Sequence, residues 1–129
     1  MVQQYLGKKH EYGIFDCISL IKDFYSQELG INFDLPTYPQ SRAWMKSFST
    51  DTVEKLALQH ARKVKLTEAK DYDVMVFKSD KTNLVIHFGL YLSPLKMLHI
   101  EEGGFSCVST LSEYWMSKLH MVLRHNELV

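Results

Sequence analysis

A chain of 129 residues that is 46% hydrophobic and 12% aromatic should expose roughly 7,000 Å² folded against about 22,000 Å² unfolded. That predicts one domain over residues 1–129 and excludes disorder, a collagen-like helix or a coiled coil for the chain as a whole. Fifteen basic residues balance fifteen acidic ones, so no net field draws in nucleic acid or an anionic membrane; no window holds roughly eighteen consecutive apolar residues, which excludes a helical membrane span.

The segment from Met1 to Gly13 is too polar for the core of a signal peptide, so the expectation is a chain with no signal peptide. Asp16 is a good N-cap, and Ile18, Leu20, Ile21, Phe24, Tyr25 and Leu29 follow at helical spacing up to Gly30, which predicts a first helix over about 17 to 29. Pro36 and Pro39 mark a loop, and a short helix is expected from Arg42 to Phe48. Another should begin at Asp51, where Asp51 and Glu54 have capping-box spacing, and present Val53, Leu56, Ala57 and Ala61 on one stripe. The basic cluster Arg62-Lys63-Val64-Lys65 reads as a solvated edge.

After Lys65 the pattern is that of strands: Asp73 to Phe77, Val85 to Leu92, Met97 to Glu101 and Phe105 to Ser109, separated by turn-forming residues. Leu111 to Lys118 reads as a short helical segment, and Met121 to Arg124 as a final edge strand. Helices first and an antiparallel meander second make the fold class α+β.

Parity within the strands separates their faces. In 85–92 the even positions Ile86, Phe88, Leu90 and Leu92 form the apolar face, and Leu98 and Ile100 do the same on the next strand. The odd faces carry His87, and His99 with Glu101, pointing away from the greasier side into a wet cleft, where exchanging His99 for Leu should cost little stability. A loop of Ser93-Pro94-Leu95 sets His87 opposite Glu101 and diagonal to His99, near enough to meet; a loop of two or four residues would put the two histidines on opposite faces.

Cys17, directly after Asp16, sits in the first turn of the predicted helix, where unpaired amides and the helix dipole favour a thiolate. A buried structural cysteine is the plain alternative. A strand histidine able to take the thiol proton, with a second polar residue to orient its ring, is the pattern of nucleophilic catalysis.

Tyr5-Leu6-Gly7, Tyr12-Gly13 and Phe15-Asp16-Cys17-Ile18-Ser19-Leu20-Ile21 resemble the N-terminal motif series of the NlpC-type, papain-like cysteine peptidases, W-L-G, Y-G-G and D-C-S-G-L-V. Asp73 to Phe77 is similar to that family's G-D-L-V-F strand, Ile86 to Leu92 to its H-V-G-I-Y-L strand, and Met97-Leu98-His99 to its M-I-H. Leu111 to Arg124, with Tyr114-Trp115, is similar to the ending of members from phage tails. The resemblance implies a papain-like fold with N-terminal helices on a small antiparallel sheet. It implies Cys17 as nucleophile, His87 as general base and His99 as the residue that orients His87, with the Cys17 backbone N–H as half of an oxyanion hole. The side-chain half, a tyrosine in the family, falls on His10 by motif alignment, with Tyr12 two residues on, and Asp16 belongs to the same substrate-facing turn. The chain departs from the family with Tyr72 for the G of G-D, D-C-I-S for D-C-S-G, and a short loop between Gly13 and Asp16.

The implied substrate is the peptide stem of peptidoglycan. The implied setting is a phage tail tip or tail assembly, in the virion or in the host cytoplasm during assembly, with other tail proteins as partners and neither nucleic acid nor a membrane span involved; Cys17 comes too early for targeting repeats to precede it. The rival reading is a tail-tip subunit that keeps the fold for docking alone, and acyl transfer or amide hydrolysis on another substrate would use the same three side chains. Cys17, His87, His99 and Glu101 are also acceptable zinc ligands, but no C-x-x-C or H-E-x-x-H pair fixes two of them on one element, so neither a metal nor another cofactor is expected. Cys107 reads as core packing, His60, His120 and His125 as surface or rim, and Trp44 and Trp115 as core or cleft wall.

Overall fold

A computed structural model describes residues 2–35 and 48–129. The loop with Pro36 and Pro39, and all but Phe48 of the helix expected from Arg42, Trp44 included, lie outside the described residues.

The first long helix, α1 (Cys17–Phe24), starts where one carboxylate gathers the loose amides of the chain. Asp16 Oδ1 accepts from the N–H groups of Ile18 and Ser19 at 3.1 and 2.9 Å, and Oδ2 accepts from Gly13 N–H at 2.8 Å. Ser19 Oγ accepts from Asp16 N–H at 2.7 Å, closing a reciprocal capping box. The helix runs on as a wider π turn, Tyr25–Leu29, and stops at Gly30, whose φ of 65° favours glycine. The expected span of 17 to 29 is thus present, with Ile18, Leu20, Ile21, Phe24 and Tyr25 buried. Helix α2 (Thr50–Ala57) is capped by Ser49, whose hydroxyl accepts from Thr52 N–H, rather than by Asp51 with Glu54. The correction is one of competition: Ser49 reaches the third amide of the helix first, and Asp51 is left inside the opening turn.

Six strands form one antiparallel sheet in the order β1-β6-β2-β3-β4-β5: β1 (Ala61–Val64), β2 (Val74–Lys78), β3 (Val85–Leu92), β4 (Lys96–His99), β5 (Cys107–Thr110) and β6 (Leu119–His125). The fold class is α+β, as expected. The last strand is not at the edge. It lies between β1 and β2, because the basic cluster at 62–65 is itself the edge strand, with exposed Arg62 and Lys63 guarding the open backbone.

Both faces of the sheet are covered. On one, Ile18, Leu20, Ile21 and Phe24 of α1 pack on Val74, Val76, Phe88, Leu90, Leu98 and Leu123. On the other, Met75, Phe77, Tyr91, Met97 and Val122 lie under Leu111 and Trp115, the latter carried by α3 (Glu113–Lys118). The expectation of one greasy and one wet side is therefore corrected.

A bulge corrects the parity of β3. Phe77 pairs with His87 but Lys78 pairs with Val85, so Ile86 is extruded from the ladder and 37% exposed, while Val85 turns into the α1-side core with Phe88. Two further single-residue expectations fail. Cys107, at the start of edge strand β5, is exposed and not core. His125 is buried, its ring 4.8 Å from that of Phe33, because β6 runs through the middle of the sheet.

One buried ion pair ties β6 to the start of β2. Arg124 donates from Nε and Nη2 to the two carboxylate oxygens of Asp73 at 3.0 and 2.8 Å, and from Nη2 to the Glu68 carbonyl at 3.0 Å; Asp73 also accepts from Lys70 N–H. Beside it Tyr72, where the family pattern has glycine, holds a φ of 77°. Its ring packs 5.0 Å from that of Phe24, and its carbonyl accepts from the Tyr25 hydroxyl.

Removing one partner of a buried, bidentate pair leaves the other charge uncompensated. Asp73→Asn or Arg124→Gln is therefore expected to lower stability by about 3–5 kcal/mol, read as a reduced urea midpoint at unchanged slope, and the double variant to lose less than the sum. A single-variant loss under about 1 kcal/mol would show that the pair contributes no more than an exposed one.

Candidate active site

A cleft of about 220 Å³ opens between the start of α1 and the sheet, lined by His10, Tyr12, Cys17, Ile86, His87, Ile100 and Glu102. Each wall has a local cause. The capping box of Asp16 sets Cys17 at the first position of α1, where the helix dipole favours an anion. The bulge at Ile86 aims His87 and Ile86 at the same opening.

The turn between β3 and β4 has the odd length that brings the two histidines to one face. Leu92 pairs with Lys96 and Leu90 with Leu98, leaving Ser93, Pro94 and Leu95 as the loop. His87 Nε2 accordingly lies 2.8 Å from His99 Nδ1, and the two rings meet edge-on with centroids 5.0 Å apart. With Nε2 committed to His99, Nδ1 is the nitrogen of His87 left for chemistry in the cleft. Cys17 and His87 thus line one cleft, from α1 and from the sheet, and His99 stands behind His87 rather than in the opening.

The pair is dry. His87 is 5% exposed and His99 is 1% exposed. Trp115 stacks on His87 with centroids 4.6 Å apart and planes 23° from parallel, and meets His99 edge-on. Both histidines are held below the ordinary imidazole value, chiefly by burial; for His87 the neighbouring His99 and then His10 add to it. Each is neutral near pH 7, with one N–H and one bare nitrogen per ring. The expectation that His99 faces water is overturned, and with it the low cost assigned to His99→Leu.

His10 and Tyr12 stand together in the cleft wall, their rings edge-on at 4.6 Å. Tyr12 is hydrogen-bonded to Glu102, and burial followed by that carboxylate pushes its phenol up to about 12, so it stays a hydroxyl throughout the physiological range. Asp16, expected to face substrate, is 1% exposed and spends both oxygens on backbone amides, so its place is structural support for Cys17.

Four residues of this region were not singled out as site groups from the sequence: Ile86, Ile100, Glu102 and Ser109. Ser109 Oγ lies 2.9 Å from His99 Nε2. The signal was present in the β-hairpin: with His99 opposite Cys107, Ser109 is the diagonal neighbour on the same face. Among the described residues no three His, Cys, Asp or Glu side chains converge to hold a metal ion, and no helix is long and apolar enough to cross a membrane.

Because His87 and His99 resist protonation when folded, the unfolded chain binds more protons below the ordinary histidine value of about 6.5. Stability is thus full above that value and falls as the pH drops through it, a trend to which His120 and His125, also depressed by burial, add. His99→Leu is expected to cost about 1–3 kcal/mol at pH 7.5 by orphaning its two partners, and to reduce the further loss seen between pH 7.5 and 5. Urea titrations at both pH values check this; an unchanged pH slope would mean that His99 does not titrate across folding.

Comparison with known proteins bears on the fold and the family. Among solved structures, a Staphylococcus aureus protein of the NLP/P60 family, described as similar to lipoprotein, superposes with a TM-score of 0.64 at 24% identity over 96% of this chain, a likeness of fold. The chain spans 38% of the length of that protein. No curated protein matches significantly. The model of the NlpC/P60 family matches residues 4–124, nearly the whole sequence and every element of the cleft, and the chain belongs to the NlpC/P60 family.

Proposed function

We propose that this protein is a cysteine peptidase that cuts the stem peptides of bacterial peptidoglycan, with Cys17 as nucleophile, His87 as general base and His99 orienting His87. The family supplies the reaction class. The observation that carries the assignment to these residues is that Cys17 and His87 line one cleft while Nε2 of His87 is held at 2.8 Å by a second, buried histidine.

In this reading the Cys17 thiol gives its proton to Nδ1 of His87, and the sulfur attacks the amide carbonyl carbon. The negative oxygen that develops is met by the Cys17 backbone N–H at the start of α1 and by a side-chain donor from the His10–Tyr12 wall. The Tyr12 hydroxyl keeps its proton but donates it to Glu102, so it must turn from that carboxylate to serve, whereas His10 offers a ring N–H. Collapse breaks the C–N bond, with His87 returning the proton to the leaving amine. Water, deprotonated by His87, then hydrolyses the thioester. The proposed setting, a phage tail tip acting with other tail proteins, rests on the resemblance of residues 111–124.

Digestion of purified peptidoglycan followed by mass spectrometry of the fragments tests the reading. Cleaved stem peptides are expected, and Cys17→Ala should reduce their release by at least about a thousand-fold without changing the urea midpoint by much. Full activity in that variant would remove Cys17 from the mechanism, and no cleavage by the unaltered protein would leave the docking subunit as the better account.

Thiol chemistry gives a second check. Cys107 is exposed and would be labelled as well, so the measurement uses Cys107→Ser. At neutral pH Cys17 is then expected to react with iodoacetamide faster than a free cysteine of ordinary pKa, about 8.5. A rate below that of the free amino acid would mark it as an inert buried thiol.

A further inference from the structure

Two neutral imidazoles bonded nitrogen to nitrogen leave an ambiguity that matters for a proton acceptor. Each ring has one N–H and one lone pair, so the contact between His87 Nε2 and His99 Nδ1 can run either way. If His99 donates, His87 carries its own proton on Nδ1 and cannot accept one from the cleft. If His87 donates, its Nδ1 is a bare lone pair. Which way the bond runs is decided at the far nitrogen of His99.

That nitrogen, Nε2, has Ser109 Oγ at 2.9 Å, and Ser109 Oγ in turn has Cys107 Sγ at 3.5 Å. We propose that Ser109 is a positioning residue that selects the working tautomer of the histidine pair: its hydroxyl oxygen accepts from His99 Nε2–H while its own proton points to the Cys107 sulfur. His99 Nδ1 is then an acceptor, His87 Nε2–H is the donor, and Nδ1 of His87 is empty.

The same arrangement serves the charged state. When His87 gains a proton at Nδ1, its Nε2–H bond to His99 is already in place, and no other proton in the chain has to move. The location of Ser109 suits the role. It sits on edge strand β5, one diagonal step from His99, and is half-buried, so its hydroxyl is held near a ring that water barely reaches. Trp115 covers the rings from α3 but has only an N–H to offer and cannot accept from His99.

This inference rests on the proposed roles of His87 and His99, and two measurements keep the two failures apart. The first is the ¹⁵N spectrum of histidine-labelled protein at pH 7.5, which reads tautomers whether or not any substrate is cut. Both His87 and His99 are expected as Nε2–H forms in the unaltered protein and in Ser109→Thr, with His99 losing the pure Nε2–H signature in Ser109→Ala. A His99 protonated on Nδ1 in the unaltered protein, or the same spectrum in Ser109→Ala, overturns the inference.

The second is peptidoglycan digestion. Ser109→Ala should lower kcat about ten-fold with KM nearly unchanged and move the acid limb of the kcat profile, and Ser109→Thr should restore both. Loss of kcat that Thr does not restore, or no loss at all, overturns the role in turnover. Should the unaltered protein cut nothing, the proposed function falls, while the tautomer spectrum still decides the role of Ser109.

Discussion

The register of one β-hairpin is the constraint on which the cleft depends. With three residues in the turn, Leu92 faces Lys96, and His87 and His99 come to the same side of the sheet with nitrogens 2.8 Å apart. One residue more or fewer would send the rings to opposite faces, since side chains alternate with a period of two. The bulge at Ile86 then does locally what the hairpin does globally: it releases one residue from the ladder and re-aims the strand, so that His87 reaches the cleft while remaining bonded to its neighbour.

Around this contact the sheet is packed on both sides, and that burial sets the electrostatics. A histidine pair open to water would titrate near the ordinary value, while the one under Trp115 is kept neutral by the cost of charging it in a dry site. The Cys17 side works by the opposite means. There the peptide dipoles at the start of α1 favour negative charge, and the Asp16 carboxylate spends itself on the amides of Gly13, Ile18 and Ser19, which holds the preceding turn and the helix start in one piece. A neutral imidazole and a helix start that favours negative charge thus face each other across one small cleft.

The departures from the family pattern become intelligible as local substitutions. Tyr72 occupies a positive-φ position where glycine is usual, and its ring packing on Phe24 with the Tyr25 hydroxyl on its carbonyl holds it there. Ser19, where the D-C-S-G pattern has glycine, completes the capping box. His10 takes the place of the expected tyrosine, and Tyr12 stands against it in the same wall.

Local chemistry was legible in the amino-acid order: the Asp16 cap, the helix to Gly30 and the length of β3 follow from caps, glycine and alternation, which act over a few residues, whereas the length of the β3–β4 turn was left open among two, three and four residues. What tertiary structure alone decided involves partners far apart in the chain. Strand β6 lies inside the sheet because 61–64 covers it, and Cys107 lies outside because β5 has no further neighbour. His99 is dry because Trp115, sixteen residues on, folds back over it. Alternation tells which way a side chain points, whereas burial depends on what arrives from elsewhere to cover it, and no short window of sequence contains that second surface.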